Sequence, residues 1–373
     1  MLNILIKRSV KKLTEGLKIY GSDNLIKKIE NKRNCVFVCT IGTTETSKIE
    51  GISGAGASPE KTKYTPAADA ELITIGEVKC TNDMAETVVD GNSAPTPAII
   101  TKASLNLSKI PLIIINAGCE IKPVIQTTEV GEEGGKDIRT GHAVENAEEI
   151  YYNSIELGMD FAELHDYITI GESIPGGTTT ALGVLKALGY DANFKVSGST
   201  PTNPHNLKIE TVNEGLKNAG IDPESDDPET DILSPFDAIK AVGDPTIPAM
   251  AGMVMGSNKP VILAGGTQMC AVCALIKTID PDFDFSRIAL ATTVYVAEDE
   301  TADLFNILKQ IDENIPVYVV DPGFEKTNHG GLKNYLKGFV KEGAGAGGSM
   351  FLALTHGHDV EELRNAIVKE CEN

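Results

Sequence analysis

The chain has 373 residues and a formal net charge of -20, with 41% hydrophobic, 23% charged and 5% aromatic residues and no Trp. That length suits about two average domains or one large α/β domain, with ample chain for a core. A strongly acidic balance disfavours a nucleic acid or an anionic membrane surface as partner, whereas backbone N–H groups can still hold one phosphate of a small molecule.

The first dozen residues are basic, and Leu2, Leu5, Ile6, Val10 and Leu13 have helical spacing. They lack the continuous apolar region and cleavage site of a signal peptide. A folded helix of a cytoplasmic protein is expected there, and the start as far as Arg33 reads as helical. No apolar run approaches the roughly 18 residues that a membrane span needs.

Strands are predicted over 35–40, 111–116, 167–170, 260–263, 288–292 and 317–320. Several are apolar on consecutive residues, as in strands buried on both faces of a parallel sheet. Helices lie between them. Val144, Ala147, Tyr151 and Ile155 form one stripe, with Gly158 as its stop. Leu182, Leu185 and Leu188 form another, stopped by Gly189. Residues 221–235 are acidic and Pro-rich, a surface loop. Near the end, Val360, Leu363, Ile367 and Val368 again have helical spacing.

This alternation implies an α/β fold with a doubly wound, mostly parallel, Rossmann-like sheet. The two termini would add a small helical appendage. The expected division is an α/β nucleotide-binding catalytic domain over 34–325 and a helical subdomain from 1–33 and 326–373, with the Glu342 loop at the junction. Ligands of such sheets bind beyond the carboxyl ends of the strands, so the loops after strands carry the chemistry.

The seven Cys residues include one C-x-x-C, Cys270 and Cys273, and no second pair, which disfavours a four-thiolate zinc site. Core thiols are the plainer reading. His356 and His358 could bind a metal or simply occupy a surface turn. The polar loop from Asp137 to Gly141, opening a helix, is either a site lid or carries an Asp–Arg surface pair.

Residues 166–185 read as a strand, a glycine-rich turn containing Glu172, Gly176, Gly177, Thr178, Thr179 and Thr180, then a helix. Glycines let N–H groups turn toward an anion, and the helix N-terminus adds partial positive charge. No Gly-Lys-Ser/Thr ends the turn, so it is not a Walker loop. A tight turn with Thr caps explains it equally well. Gly265 and Gly266 follow another strand. A third small-residue loop runs Glu342-Gly343-Ala344-Gly345-Ala346-Gly347-Gly348, and a fourth lies at 51–56. Glu342 at the lip of its loop is well set as a base, or is an exposed loop acid.

Together these segments resemble the nicotinate-nucleotide–dimethylbenzimidazole phosphoribosyltransferases, in particular their archaeal branch. The family's G-E-M-G-I-G-N-T-T is similar to Gly171-Glu172-Ser173-Ile174-Pro175-Gly176-Gly177-Thr178-Thr179. Gly51-Ile52-Ser53 resembles its early G-V-S, and residues 242–252 its G-G-x-[DE]-I-A-A-M-x-G. The 197–208 segment resembles its G-x-G-T-G…G-L-x-x-K, and the stretch from Glu342 to Ala346 its late G-E-G-T-G-A. The motifs run in order over about 34–350. Gly177 replaces the motif Asn, Ala264 a later Asp, and Phe339-Val340-Lys341 the family's R-L-G.

The resemblance implies transfer of phosphoribosyl from nicotinate mononucleotide to a cobalamin lower-ligand base, with nicotinate released and an α-ribotide formed. It implies Glu342 as general base and Glu172 as a second catalytic carboxylate. It implies phosphate binding by Gly176, Gly177, Thr178, Thr179, Thr180 and Lys208, and a nucleotide site lined by Gly265, Gly266, Gly343 and Gly345. Lys208 also reads as a solvated surface charge. Small-molecule substrates, no cofactor, no metal, no nucleic-acid or membrane partner, a cytoplasmic location and a homodimer are the expectations. A non-catalytic nucleotide-binding protein and a nucleotide N-glycosidase on the same fold remain alternatives.

Overall fold

The computed structural model describes residues 15–56, 58–82, 86–89, 92–223 and 232–372. The helix expected over the first dozen residues and most of the acidic 221–235 loop lie outside them. In chain order the strands are β1 (Leu17–Tyr20), β2 (Cys35–Gly42), β3 (Glu86–Val89), β4 (Asn92–Pro95), β5 (Leu112–Gly118), β6 (Thr128–Glu129), β7 (Tyr167–Ser173), β8 (Val261–Ala264), β9 (Ile288–Thr293) and β10 (Val317–Val320). The helices used below are α1 (Asn24–Ile29), α2 (Thr65–Ile75), α3 (Pro97–Ser108), α4 (Ala147–Leu164), α5 (Gly177–Ala187), α6 (His205–Asn218), α7 (Pro235–Val242), α8 (Thr246–Gly256), α9 (Gln268–Ile279), α10 (Leu304–Ile311), α11 (Ala346–Thr355) and α12 (Val360–Cys371).

Alternate residues of the central strands feed two separate cores. Val36, Val38, Ile168, Ile170, Leu263 and Leu290 meet α4 to α10 on one face of the sheet. Phe37, Cys39, Tyr167, Ile262 and Ala289 meet α1, α2, α3, α11 and α12 on the other. Burial on both faces is why these strands read as continuous apolar runs. The result is the doubly wound, mostly parallel sheet that the sequence implies, in the order β1-β10-β9-β8-β7-β2-β5-β6. β3 and β4 form a separate antiparallel pair.

From β2 the chain winds outward through β5 to β6, then returns to β7 on the other side of β2 and continues through β8, β9 and β10. The order therefore reverses between β2 and β7. Such a switch point opens a crevice at the carboxyl ends of the strands.

Two local expectations are corrected. The chain start is not wholly helical: β1 pairs antiparallel with β10, from Leu17 opposite Val320 to Tyr20 opposite Val317. A four-residue edge strand with only Leu17 buried carries too little pattern to be read. Gly158 does not stop its helix, because α4 continues to Leu164. A Cβ at Gly158 would run into the Met253 carbonyl, so the glycine lets α4 and α8 pack closely. Gly189 does end α5, with φ of +85°.

The last two helices cover the sheet. Phe351 of α11 stacks on Tyr318 of β10 at 5.0 Å between ring centroids. Leu363 and Ile367 of α12 are buried in the same core. Cys35, Cys39, Cys119, Cys270 and Cys273 are buried thiols, as expected. Among the described residues no helix is long and apolar enough to cross a membrane.

Candidate functional site

A cleft opens at the carboxyl ends of β7, β8 and β9, beside the switch point. Its space, open solvent at the mouth included, is about 850 Å³. Glu172 and Ser173 at the end of β7 form its floor with Asp69 of α2. Residues 174–178, 197–199 and 340–344 form its walls, and Gly266 and Val296, which follow β8 and β9, close one side.

Glu172 is buried, and its Oε2 accepts the N–H of Ile174 at 3.0 Å. Burial first, then the neighbouring charges of Asp244 and Glu342, hold its carboxyl well above the usual range, against that one hydrogen bond. Asp69 is buried beside it. The Thr96 and Ser173 hydroxyls each donate to one of its oxygens at 2.7 Å. Burial pushes its carboxyl up to about 6, and the two hydroxyls restrain the shift.

Glu342 sits between β9 and the start of α11. Its Oε1 accepts the N–H of Gly347 at 3.0 Å and that of Gly343 at 3.3 Å, and its Oε2 accepts the N–H of Thr293 at 3.1 Å. Burial drives the carboxyl up to about 7, and these N–H groups pull against it. Several carboxyls raised by desolvation in one cleft are a recognised mark of a functional site.

The segment carrying Glu342 is strained. Val340, Lys341 and Ala344 have φ of +62°, +58° and +50°. The Lys341 N–H donates to the Phe339 carbonyl and the Glu342 N–H to the Val340 carbonyl, each at 2.7 Å, which makes two successive γ-turns. Each left-handed residue costs about 1–2 kcal/mol. Contacts from outside enforce the conformation: the Val340 N–H donates to the Ser199 carbonyl at 2.9 Å, and the Thr293 hydroxyl to the Lys341 carbonyl at 2.6 Å. Ser199 Oγ in turn accepts the N–H of Gly54 at 2.8 Å, so three loops of the cleft wall are tied through one serine.

The glycine turn after β7 has Gly176 at φ +81° before the first residue of α5. The Gly177 N–H is spent on the Ile174 carbonyl at 3.1 Å. The N–H groups of Gly176 and Thr178 have no acceptor among the described residues and stand beside the cleft. Thr180 Oγ1 donates to Asp244 Oδ2 at 2.5 Å and anchors the helix start from beneath.

Of the residues singled out in the sequence, Glu172, Glu342, Gly176, Gly177, Thr178, Gly266 and Gly343 line the cleft. Thr179, Thr180, Lys208, Gly265 and Gly345 lie behind its walls. Lys208 is fully buried, not a solvated surface charge, and its Nζ donates to the Ser197 carbonyl at 2.6 Å and to Asn203 Oδ1 at 3.0 Å. Burial, then the charge of Lys341, lowers its ammonium to about 7. Gly345 packs against Gly171 and Phe37, and the Gly265 N–H donates to the Ala291 carbonyl at 3.1 Å. The small residues of 343–348 thus serve mostly to bring α11 onto the strand ends.

Asp69, Lys341 and the 197–199 loop were not singled out as site residues, although they line the cleft. One signal was available for Asp69, a lone acid within the small-residue stretch Pro66-Ala67-Ala68-Asp69-Ala70. His356 turns inward, its Nε2 3.4 Å from the Tyr167 hydroxyl, while His358 pairs with Glu362. Arg139 forks onto Asp137 at the surface, away from the cleft. Among the described residues no three His, Cys, Asp or Glu side chains are grouped to hold a metal.

The chain matches no family model. A UPF0284 protein of Methanothermobacter thermautotrophicus is 53% identical over 357 residues, covering 96% of this chain and 98% of the relative. The chain belongs to the UPF0284 family. Family members from Methanocaldococcus jannaschii and Sulfolobus acidocaldarius are 44% and 42% identical, over 90% and 92% of this chain and 92% and 96% of their own. Among solved structures, CobT from Thermus thermophilus matches this UPF0284 chain with a TM-score of 0.59 at 13% identity, over 94% of this chain and 89% of its own. A nicotinate-nucleotide–dimethylbenzimidazole phosphoribosyltransferase from the same organism gives 0.56 at 13% identity, over 93% and 86%. The UPF0284 chain therefore shares the fold of the enzymes that its motifs resemble.

Proposed function

We propose that this protein transfers phosphoribosyl from nicotinate mononucleotide to a ring nitrogen of a cobalamin lower-ligand base. The observation that carries this reading is the meeting of Glu172, Glu342 and the Gly176 turn in one cleft, from segments some 170 residues apart in the chain (172 and 342). These are the motifs that resemble the transferase family.

In this reaction the free ring nitrogen attacks C1′, and the C1′–N bond to nicotinate breaks. The bonding pair neutralises the pyridinium, so nicotinate leaves without an acid. The proton of the base's other ring nitrogen passes to Glu342, whose carboxyl near 7 is matched to neutral pH. Burial favours the protonated form of Glu172, which can then donate a hydrogen bond within the cleft. The free N–H groups of Gly176 and Thr178, at the N-terminus of α5, take the 5′-phosphate. Attack opposite the leaving group inverts the anomeric centre to α. Holding the two reactants in line supplies much of the remaining acceleration.

The test is to mix the protein with nicotinate mononucleotide and a panel of benzimidazoles, purines and phenols, and to measure free nicotinate. Release that requires a base, with an α-ribotide as co-product, is expected. Release without any base would mark an N-glycosidase, and binding without release a nucleotide sensor.

A further inference from the structure

Among the described residues lining the cleft, Lys341 carries the one basic side chain. Its neighbours there include the carboxyls of Asp69, Glu172 and Glu342. The Lys341 and Asp299 side chains are 5% and 4% exposed, with Nζ 2.6 Å from Asp299 Oδ2. Asp299 is the acceptor found for this ammonium among the described residues, although an ammonium has three N–H bonds to donate.

Asp299 does not depend on the lysine in the same way. Its Oδ1 accepts the Thr301 N–H at 3.0 Å and the Thr301 hydroxyl at 2.7 Å, and its Oδ2 accepts the Ser197 hydroxyl at 2.9 Å. A carboxylate already satisfied by three other donors can share its cation with a ligand. The lysine's backbone, at φ +58°, is held in a conformation that L-residues disfavour. Strain of this kind persists where surrounding contacts fix a side chain's aim. Lys208, by contrast, lies behind the wall, where its ammonium donates to a carbonyl and a side-chain amide oxygen.

We propose that Lys341 binds an anionic group of the mononucleotide donor, its 5′-phosphate or its nicotinate carboxylate, with Asp299 as resident counter-ion. This rests on the transferase reading and assigns the donor's recognition to a residue outside the glycine turn. In a cleft rich in carboxyls and a chain of net charge -20, one desolvated cation sets which ligands enter.

Calorimetry with four ligands tests it: nicotinate mononucleotide, nicotinate riboside, nicotinamide mononucleotide and nicotinamide riboside, which lacks both anionic groups. Lys341→Met should weaken nicotinate mononucleotide about 10- to 100-fold, the range of a hydrogen bond to a charged group. Lys341→Arg should retain most of the affinity, and nicotinamide riboside should bind wild type and variants alike. The anionic group whose removal costs less affinity in Lys341→Met than in wild type is the group bound. Asp299→Asn, which frees the lysine of its counter-ion, should tighten the full donor and leave nicotinamide riboside unchanged. Equal weakening of all four ligands, or of none, overturns the assignment. If wild type releases nicotinate normally while Lys341→Met keeps every preference, only Lys341 is excluded. If wild type binds none of the four, the transferase reading falls as well.

Discussion

The carboxylate of Glu342 accepts the backbone N–H of Gly347 at 3.0 Å, so the first turn of α11 grips the acid that faces the cleft. A side chain at Gly347 would collide with the backbone of Thr292 in β9. The glycine thus lets the helix start close enough to the strand for one carboxylate to bridge both. The acid's position is a product of close packing, and it governs the chemistry proposed for the cleft.

Replacing Glu342 by Gln should slow transfer by about 10²- to 10⁴-fold, the usual contribution of a positioned base. Affinity for nicotinate mononucleotide should stay near normal, because Gln keeps the size and one acceptor oxygen. Steady-state turnover and calorimetry on the same preparation check this, and near-normal turnover would remove Glu342 from the mechanism.

The pH profile of kcat/KM should carry an acid limb near 7, because the Glu342 carboxyl is pushed up to about 7 and the base must be ionised to work. Below that value the rate should fall tenfold per pH unit. An ordinary exposed Glu would give a limb near 4, and finding one there would assign the base elsewhere.

Gly177→Val should weaken nicotinate mononucleotide far more than its dephosphorylated riboside. A Cβ at Gly177 would stand 2.8 Å from Ile174 Cγ2, so the Ile174 side chain or the turn presenting the Gly176 and Thr178 N–H groups must shift, and the larger Val adds to the crowding there. Equal weakening of both ligands means that the turn does not hold the phosphate.

Lys208→Ala should act on stability. It deletes a fully buried stem and leaves the Ser197 carbonyl and Asn203 Oδ1 without their donor. Loss of packing and of these bonds should cost about 2–5 kcal/mol. Denaturant unfolding measures it, and an unchanged midpoint would contradict this placement.

Glu172→Gln should make stability less sensitive to rising pH. The folded state holds the Glu172 proton more tightly than the unfolded chain does. Its contribution to stability is therefore complete below the ordinary carboxylate value and is lost as pH rises toward the folded value. Gln has no proton to lose. The difference in Tm, variant minus wild type, should grow more positive from pH 5 to pH 8; a difference that stays flat would show that Glu172 is ionised in the folded protein.

Much of the fold was legible because its strands are buried on both faces, so runs such as Val36-Phe37-Val38 stand out in the sequence. β1 escaped notice because one buried residue in four leaves no pattern. Gly158 misled because a glycine at a helix end and a glycine at a close helix crossing look alike along the chain. Glu172 and Glu342 were recognisable from the small residues around them, which tertiary packing needs as much as a ligand would.

The amino-acid order by itself determined where chain reversals fall and which carboxylates lie near strand ends or helix starts, since glycine spacing and apolar runs are local properties. It could not rank the lysines. Lys208 and Lys341 lie 133 residues apart in the chain (341 minus 208), and each takes its role from distant partners, Ser197 and Asn203 for one and Asp299 for the other. Which lysine is buried behind a wall and which is among the residues lining the cleft is decided by long-range packing. The same packing desolvates Glu172, Asp69 and Glu342, and desolvation, a property of assembled surroundings, sets their proton affinities.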